Sequence, residues 1–227
     1  MATSTDGEAT TPDTKVPSHH FGSTAFQASP TGLLLFELRS WVGRTFTKAR
    51  RATNPYIHIG CGVNVRQGFE NLDVHFFRGA RGVVGHDLRY PLPYPDETFN
   101  GAYSEHALEH LYPDQAMRLL REIRRVLKPG AVFRCGVPDL EKYVNYYLGK
   151  PVDPEFTKFR SGCEAIWSLT QNWGHLSVWD AATMVKTLRD VGFAEAGQAS
   201  YREGRKPELL LDQPERRWET LYVEAVR

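Results

Sequence analysis

The stretch that most constrains this chain is Tyr56 to Val63, YIHIGCGV, where a short apolar run breaks on two glycines one residue apart. Glycine takes positive φ without steric penalty and carries no side chain, so a strand entering such a pair turns sharply and brings bare backbone close to a ligand. A second apolar stretch, Phe69 to Val74, ends at Asp73 and Val74, and a third, Gly82 to His86, is followed by Asp87 and Leu88. Carboxylates at the ends of successive strands predict an open α/β sheet with its ligand crevice along those ends. Asn64 and Arg66 stand where a full GxGxxG pattern would need further small residues, so the loop suits a single nucleoside better than a pyrophosphate.

Downstream, Thr98 to Tyr103 reads as strand four. Asp114 is placed to cap a helix carrying Met117, Leu119, Leu120, Ile123, Val126 and Leu127, with Lys128-Pro129-Gly130 as its stop signal before strand five, Ala131 to Val137. Lys142 to Leu148 predicts a tyrosine-rich helix, and Asn172 to Trp179 a loop or short cap. Asp180 should open a helix reaching Val191, and Gln198 to Tyr201 with Thr220 to Val226 should close the sheet around a polar hairpin loop, Arg205 to Arg217. The polar link Asn64 to Gly68 is too short for a long helix, so the first crossover of this doubly wound pattern is abbreviated.

Residues 1–30 are rich in small and polar types and read as a flexible tail, leaving 31–227 as one domain with an N-terminal helix (31–50) and a substrate cap (138–180). In the N-terminal helix, Leu34, Leu35, Leu38 and Val42 form an apolar stripe, with Trp41 beside them, that should pack on the domain or cover its cleft. Lysine plus arginine (28) balance aspartate plus glutamate (27), which argues against a nucleic-acid partner; the basic run Arg44 to Arg51 is read as a solvated segment. Three scattered cysteines without a CxxC exclude a disulfide framework, and the longest early apolar run is too short for a membrane span. A cytoplasmic protein, as a possible homodimer, is expected.

His106, Glu109 and His110 fall at i, i+3 and i+4, so in a helix they would share one face able to hold a divalent cation, with His175 as a fourth group from another segment. The same residues also fit a purely structural reading, the histidine packing on the sheet and the glutamate bonding backbone. Without metal, His106, and after it His175, is a candidate general base. Asp139 after strand five is a candidate partner for a substrate hydroxyl, and Tyr143 and Trp173 are candidate platforms for a sugar face.

Taken as a set, IGCG, NLDV, Asp87-Leu88, FNGAYS, LEHL and LLREIRRVLKPGA resemble a class I S-adenosylmethionine-dependent methyltransferase of the small methyltransferase-11-like type, from about Tyr56 to the C-terminus. The resemblance implies a Rossmann-like seven-stranded sheet, mostly parallel with an antiparallel last strand, plus helical cap elements. It implies that Gly60, Cys61 and Gly62 lie under the methionine moiety, that Asp73 with Val74 holds the ribose, that Asp87 and Leu88 meet the adenine, and that Ser104 lines the sulfonium side. His58 departs from the carboxylate that family members often carry two residues before the first glycine. The HxxEH motif resembles the ExxEH metal site of ubiquinone-pathway O-methyltransferases and, with a later histidine, that of small-RNA 2′-O-methyltransferases. Magnesium or manganese is the implied ion, although imidazoles around one carboxylate also suit zinc, iron or nickel. The acceptor implied is a hydroxyl of a saccharide or glycosylated small molecule, a phenolic or quinone-like acceptor being the second choice and a catalytically silent binding module the third.

Overall fold

A computed structural model describes residues 31, 34, 35, 37, 38, 40, 41, 49–74 and 82–227. The tail over 1–30 and most of the basic run lie outside the described residues. Four strands come first: β1 (Tyr56–Ile59), β2 (Phe69–Asp73), β3 (Val83–Gly85) and β4 (Phe99–Glu105). With β5 (Leu127–Pro138), β6 (Glu195–Ala199) and β7 (Thr220–Val226) they form a seven-stranded sheet in the order β3-β2-β1-β4-β5-β7-β6. Only the pairings made by β7 are antiparallel, as expected for the last strand. The order reverses between β1 and β4, which opens a crevice above their carboxyl ends.

One face of the sheet is built from the alternate residues Ile57, Ile59, Leu72, Phe133, Cys135, Leu221 and Val223. Against it pack α1 (Pro113–Val126), through Leu119, Leu120, Ile123 and Val126, and a later helix carrying Met184 and Leu188. Proline begins α1, where its missing N–H costs nothing, so Tyr112 is the cap residue and Asp114 sits in the first turn, paired with Arg118. The expected stop at Lys128-Pro129-Gly130 is also displaced. Leu127 is fully buried and already paired with Phe99, so the chain enters β5 directly and the Pro-Gly pair becomes an irregularity inside the strand, with Gly130 at φ +75.

The opposite face, with Tyr56, Phe69, Tyr103 and Val132, is covered by Leu209 and Leu211 from the loop between β6 and β7. Among the described residues, this loop takes the place of an α-helical layer on that face. A Cβ on Gly101 would lie 3.2 Å from Leu209, so β4 and the loop are in direct contact. The loop read from sequence as a polar hairpin is therefore part of the core. Its anchor is Arg134 of β5, fully buried, which donates to Asp212 through Nε and Nη2, to Glu224 and the Glu203 carbonyl through Nη1, and to the Ser200 carbonyl through Nη2. All five guanidinium N–H groups are used.

The cap beyond β5 contains α2 (Leu140–Tyr147) and α3 (Gly162–Gln171) around Tyr143, Phe156, Phe159 and Trp218. The α2 helix starts two residues before the expected Lys142 because Asp139 caps it, accepting from the Glu141 N–H at 3.0 Å. The α3 helix was not expected. Its signal was Ser161 followed by Glu164, a capping pattern in which the serine hydroxyl accepts from the Glu164 N–H. Asp180 caps α4 (Ala181–Asp190), as expected.

The described residues between 31 and 41 are helical, and Val42 of the expected apolar stripe lies outside the described residues. Leu34, Leu35, Leu38 and Trp41 are exposed, while Ser40 is buried. Ser40 donates to Asp87, and Glu37 pairs with Arg89.

Candidate active site

Gly60 and Gly62 close β1 at φ +67 and +53, and they differ in purpose. A Cβ on Gly60 would stand 2.3 Å from that of Ala107, so the turn after β4 could not pack against it, whereas nothing lies within 4 Å of the same position on Gly62. The first glycine is required by packing and the second leaves open room at the mouth of the crevice. The Gly62 N–H donates to Asp73 Oδ2 at 2.7 Å, which fixes the carboxylate at the end of β2 against the loop. Val74 follows, half-buried. Cys61 is buried, and burial, followed by the nearby Asp73, pushes its thiol up to about 12, which removes it as a nucleophile. Ser104, paired with Ile59 at the end of β4, is fully buried with its hydroxyl unpartnered. His58 lies beneath the loop, and burial lowers it to about 4, so it is a neutral ring at neutral pH. Leu88 borders Gly60, and Asp87 beside it is held by Arg89 and Ser40. Burial alone would raise the Asp87 carboxyl; the hydrogen bonds from Arg89 and Ser40 take it below its ordinary value.

The HxxEH residues do not share a helical face. His106 sits in the left-handed region at φ +51, and only the single 3-10 turn Leu108–His110 follows. The group nevertheless converges, because the Glu109 carbonyl accepts from the N–H groups of Leu176 and Ser177 and so brings the His175 segment alongside. Glu109, His110 and His175 each place one ligand atom within 4.8 Å of the others. His106 stands outside this trio. Its Nδ1 meets Glu109 Oε1 at 3.2 Å and its Nε2 meets the Thr220 hydroxyl at 2.8 Å. Thr220 spends its own proton on the Arg216 carbonyl, so Nε2 is the donor to Thr220 and neither nitrogen of His106 faces the cleft.

Glu109 is 1% exposed and neither carboxylate oxygen has a well-formed hydrogen bond. Burial pushes its carboxyl up, but the contact with His106 and the charges of the surrounding imidazoles outweigh this and bring it down to about 2. His175 donates Nδ1–H to the Leu169 carbonyl at 2.7 Å, which leaves the Nε2 lone pair turned towards Glu109, 4.0 Å away. Burial lowers its proton affinity, so this lone pair is present at neutral pH. A ring fixed by a backbone carbonyl on one nitrogen and free on the other is the arrangement metal-binding histidines adopt.

The expected substrate residues separate. Trp173 is 67% exposed and held at φ +61 two residues before His175, where its ring can meet a ligand. Tyr143, in contrast, is buried with its hydroxyl given to Glu219 and its ring enclosed by Phe156 and Trp218, so it supports the cap and offers no platform. Asp139 is buried and spends one oxygen capping α2; burial raises its carboxyl. Sequence reasoning missed Thr220, and also Gln213, whose amide joins Glu105 of β4 to Asn64 of the glycine loop. No local pattern marks either one, since each meets partners more than a hundred residues away.

Residues 69–135 match a family described as a methyltransferase domain. None of the curated proteins compared with the chain matches it. Among solved structures, an S-adenosylmethionine-dependent methyltransferase from Archaeoglobus fulgidus is similar, with 18% identity, a TM-score of 0.50, and coverage of 85% of this chain and 94% of that one. A possible histamine N-methyltransferase from Thermotoga maritima (18% identity, TM-score 0.46, 85% and 88% covered) is also similar. So is the 1,6-didemethyltoxoflavin-N1-methyltransferase from Burkholderia thailandensis (14% identity, TM-score 0.47, 88% and 91% covered). No helix among the described residues is long and apolar enough to cross a membrane. Residues from β2 into β5 thus match a methyltransferase-domain family, and the sheet has the fold of the similar S-adenosylmethionine-dependent methyltransferase.

Proposed function

We propose that this protein transfers the methyl group of S-adenosylmethionine to a hydroxyl of a saccharide or glycosylated small molecule, with a divalent cation gripping the acceptor. The observation that carries this reading is the meeting of Glu109, His110 and His175 beside the crevice, with both Glu109 oxygens buried and neither in a well-formed hydrogen bond. Nε2 of His106 donates to Thr220 and its Nδ1 meets Glu109, so the trio's carboxylate has one side turned to His106 and the other to His110 and His175, where a cation would fit. Two imidazoles and one carboxylate suit manganese or zinc better than magnesium. When bound, such an ion would acidify and orient an acceptor hydroxyl.

The protein's own residues do the rest. Asp73, steadied by the Gly62 N–H, receives the ribose hydroxyls, and the open position at Gly62 leaves room for the methionine end. Glu109, His110 and His175 hold the cation, and His106 with Thr220 positions Glu109. The sulfonium donor is already electrophilic, so alignment and uptake of one proton are the tasks left to the site. In a metal-free site His175 Nε2 takes that proton. Trp173, exposed beside His175, suits the apolar face of a sugar or an aromatic ring.

Calorimetry with S-adenosylhomocysteine tests the donor. Asp73→Ala is expected to weaken binding by roughly 10- to 100-fold, the worth of hydrogen bonds to a charged group, and unchanged affinity removes Asp73 from the ribose site. Transfer of labelled methyl groups to sugars, catechols and RNA tests the acceptor. Preference for catechols would favour the phenolic reading, and full activity after rigorous chelation would leave His175 as a simple base.

A further inference from the structure

We propose that Gln213 is a positioning residue for the donor site: it braces the glycine turn after β1 against the turn after β4 and so sets the crevice in which the methyl donor seats. The identity of that ligand rests on the function proposed above; the brace itself rests on contacts in this chain.

β1 and β4 are paired at the point where the strand order reverses, so the turns that follow them frame the crevice. These turns touch directly at Gly60 and Ala107, where a Cβ on the glycine would stand 2.3 Å from that of the alanine. They are joined again through Gln213. Its backbone N–H and its Nε2 both donate to the Glu105 carboxylate, at 3.1 and 2.8 Å, and its Oε1 accepts from Asn64 Nδ2 at 3.3 Å. Glu105 ends β4 and directly precedes His106, while the Asn64 N–H closes the glycine turn on the Cys61 carbonyl at 2.8 Å. A second tie between the same segments runs from Arg66 Nη2 to the Leu211 carbonyl at 3.4 Å.

The side chain at 213 has to be an amide. An ionised Glu105 only accepts, which turns Nε2 towards it and leaves Oε1 for Asn64, and no other neutral side chain of that length offers both a donor and an acceptor. Glu105 is buried; burial raises its carboxyl, and the Gln213 backbone N–H and side chain are among the groups that draw it back. Gly136 on β5 makes the room, since a Cβ there would lie 3.1 Å from both Glu105 Cγ and Thr220 Cγ2. The loop that carries Gln213 is fixed separately by Arg134 on Asp212, so the amide can be altered without releasing the loop.

The test uses the full chain. In Gln213→Met, which keeps the length and removes both hydrogen-bonding ends, titration with S-adenosylhomocysteine should show binding weaker by about three- to tenfold. Asn64→Ala, at the exposed end of the brace, should weaken it by about twofold, and adding it to Gln213→Met should change nothing further. Rescue separates the brace from a general structural role. Gln213→Glu alone sets two carboxylates together and should bind most weakly, whereas Gln213→Glu with Glu105→Gln exchanges donor and acceptor and should restore affinity to within about threefold of the parent. Hydrogen–deuterium exchange over residues 61–66 needs no ligand and should be faster in Gln213→Met than in the parent. Unchanged donor affinity in folded Gln213→Met, or no recovery in the exchanged pair, overturns the proposal. Absence of binding in the parent sinks the methyltransferase reading instead, and exchange over 61–66 then decides whether Gln213 braces the glycine turn.

Discussion

Arg134→Met is expected to lower the unfolding free energy by about 3–5 kcal/mol, the range for breaking a buried ionic network from one side. Methionine roughly fills the volume of the arginine stem but donates nothing. Asp212, fully buried, would keep the Arg202 N–H, and Glu224 would keep the Arg205 N–H, while both lose their cationic partner. For a domain of this size that loss corresponds to roughly 10 °C in Tm. Urea unfolding measures it, and a change below about 1 kcal/mol would mean the loop is held mainly by Leu209 and Leu211. The second variant to make is Arg134→Met with Asp212→Asn. Removing the stranded charge should recover part of the loss, and the non-additivity reports the coupling. A functional effect should follow as well, because Gln213 on the same loop bridges Glu105 to Asn64 at the glycine turn.

Glu109→Gln should reduce methyl transfer by on the order of 100-fold or more, because it removes the one anionic group of the trio while keeping its shape. Manganese or zinc binding, followed by calorimetry on the metal-free protein, should fall in parallel. Loss of activity with metal affinity intact would assign Glu109 to positioning His106 and His175. A pH signature accompanies the charge. The folded carboxyl lies below its ordinary 4.5, at about 2, so its contribution to stability is complete above the ordinary value and is lost as pH falls towards 2. Glu109→Gln should therefore flatten acid unfolding in that window, as followed by circular dichroism.

The fold was largely legible because its signals are local. Ile57 and Ile59 alternate with Tyr56 and His58, Gly60 breaks the strand, and Asp180 caps α4, each decided within a few residues. Element boundaries failed where a neighbour overrode the local pattern: Leu127 was drawn into β5 by its pairing with Phe99 despite the stop signal beyond it. The helical face expected for His106 to His110 did not form. A left-handed residue at His106 replaced the expected helix, and the Glu109 carbonyl, bound by Leu176 and Ser177, then drew His175 in.

Local pattern was enough to locate the strands, the glycine turn and the acids at the strand ends, since these follow from period-two burial and from what glycine alone can do with its backbone. Tertiary structure decided which side chains answer one another across the chain: Arg134 with Asp212, His106 with Thr220, Asp87 with Ser40. The reason is that a buried charge or donor must find a partner wherever the fold supplies one, and no local pattern records where that will be.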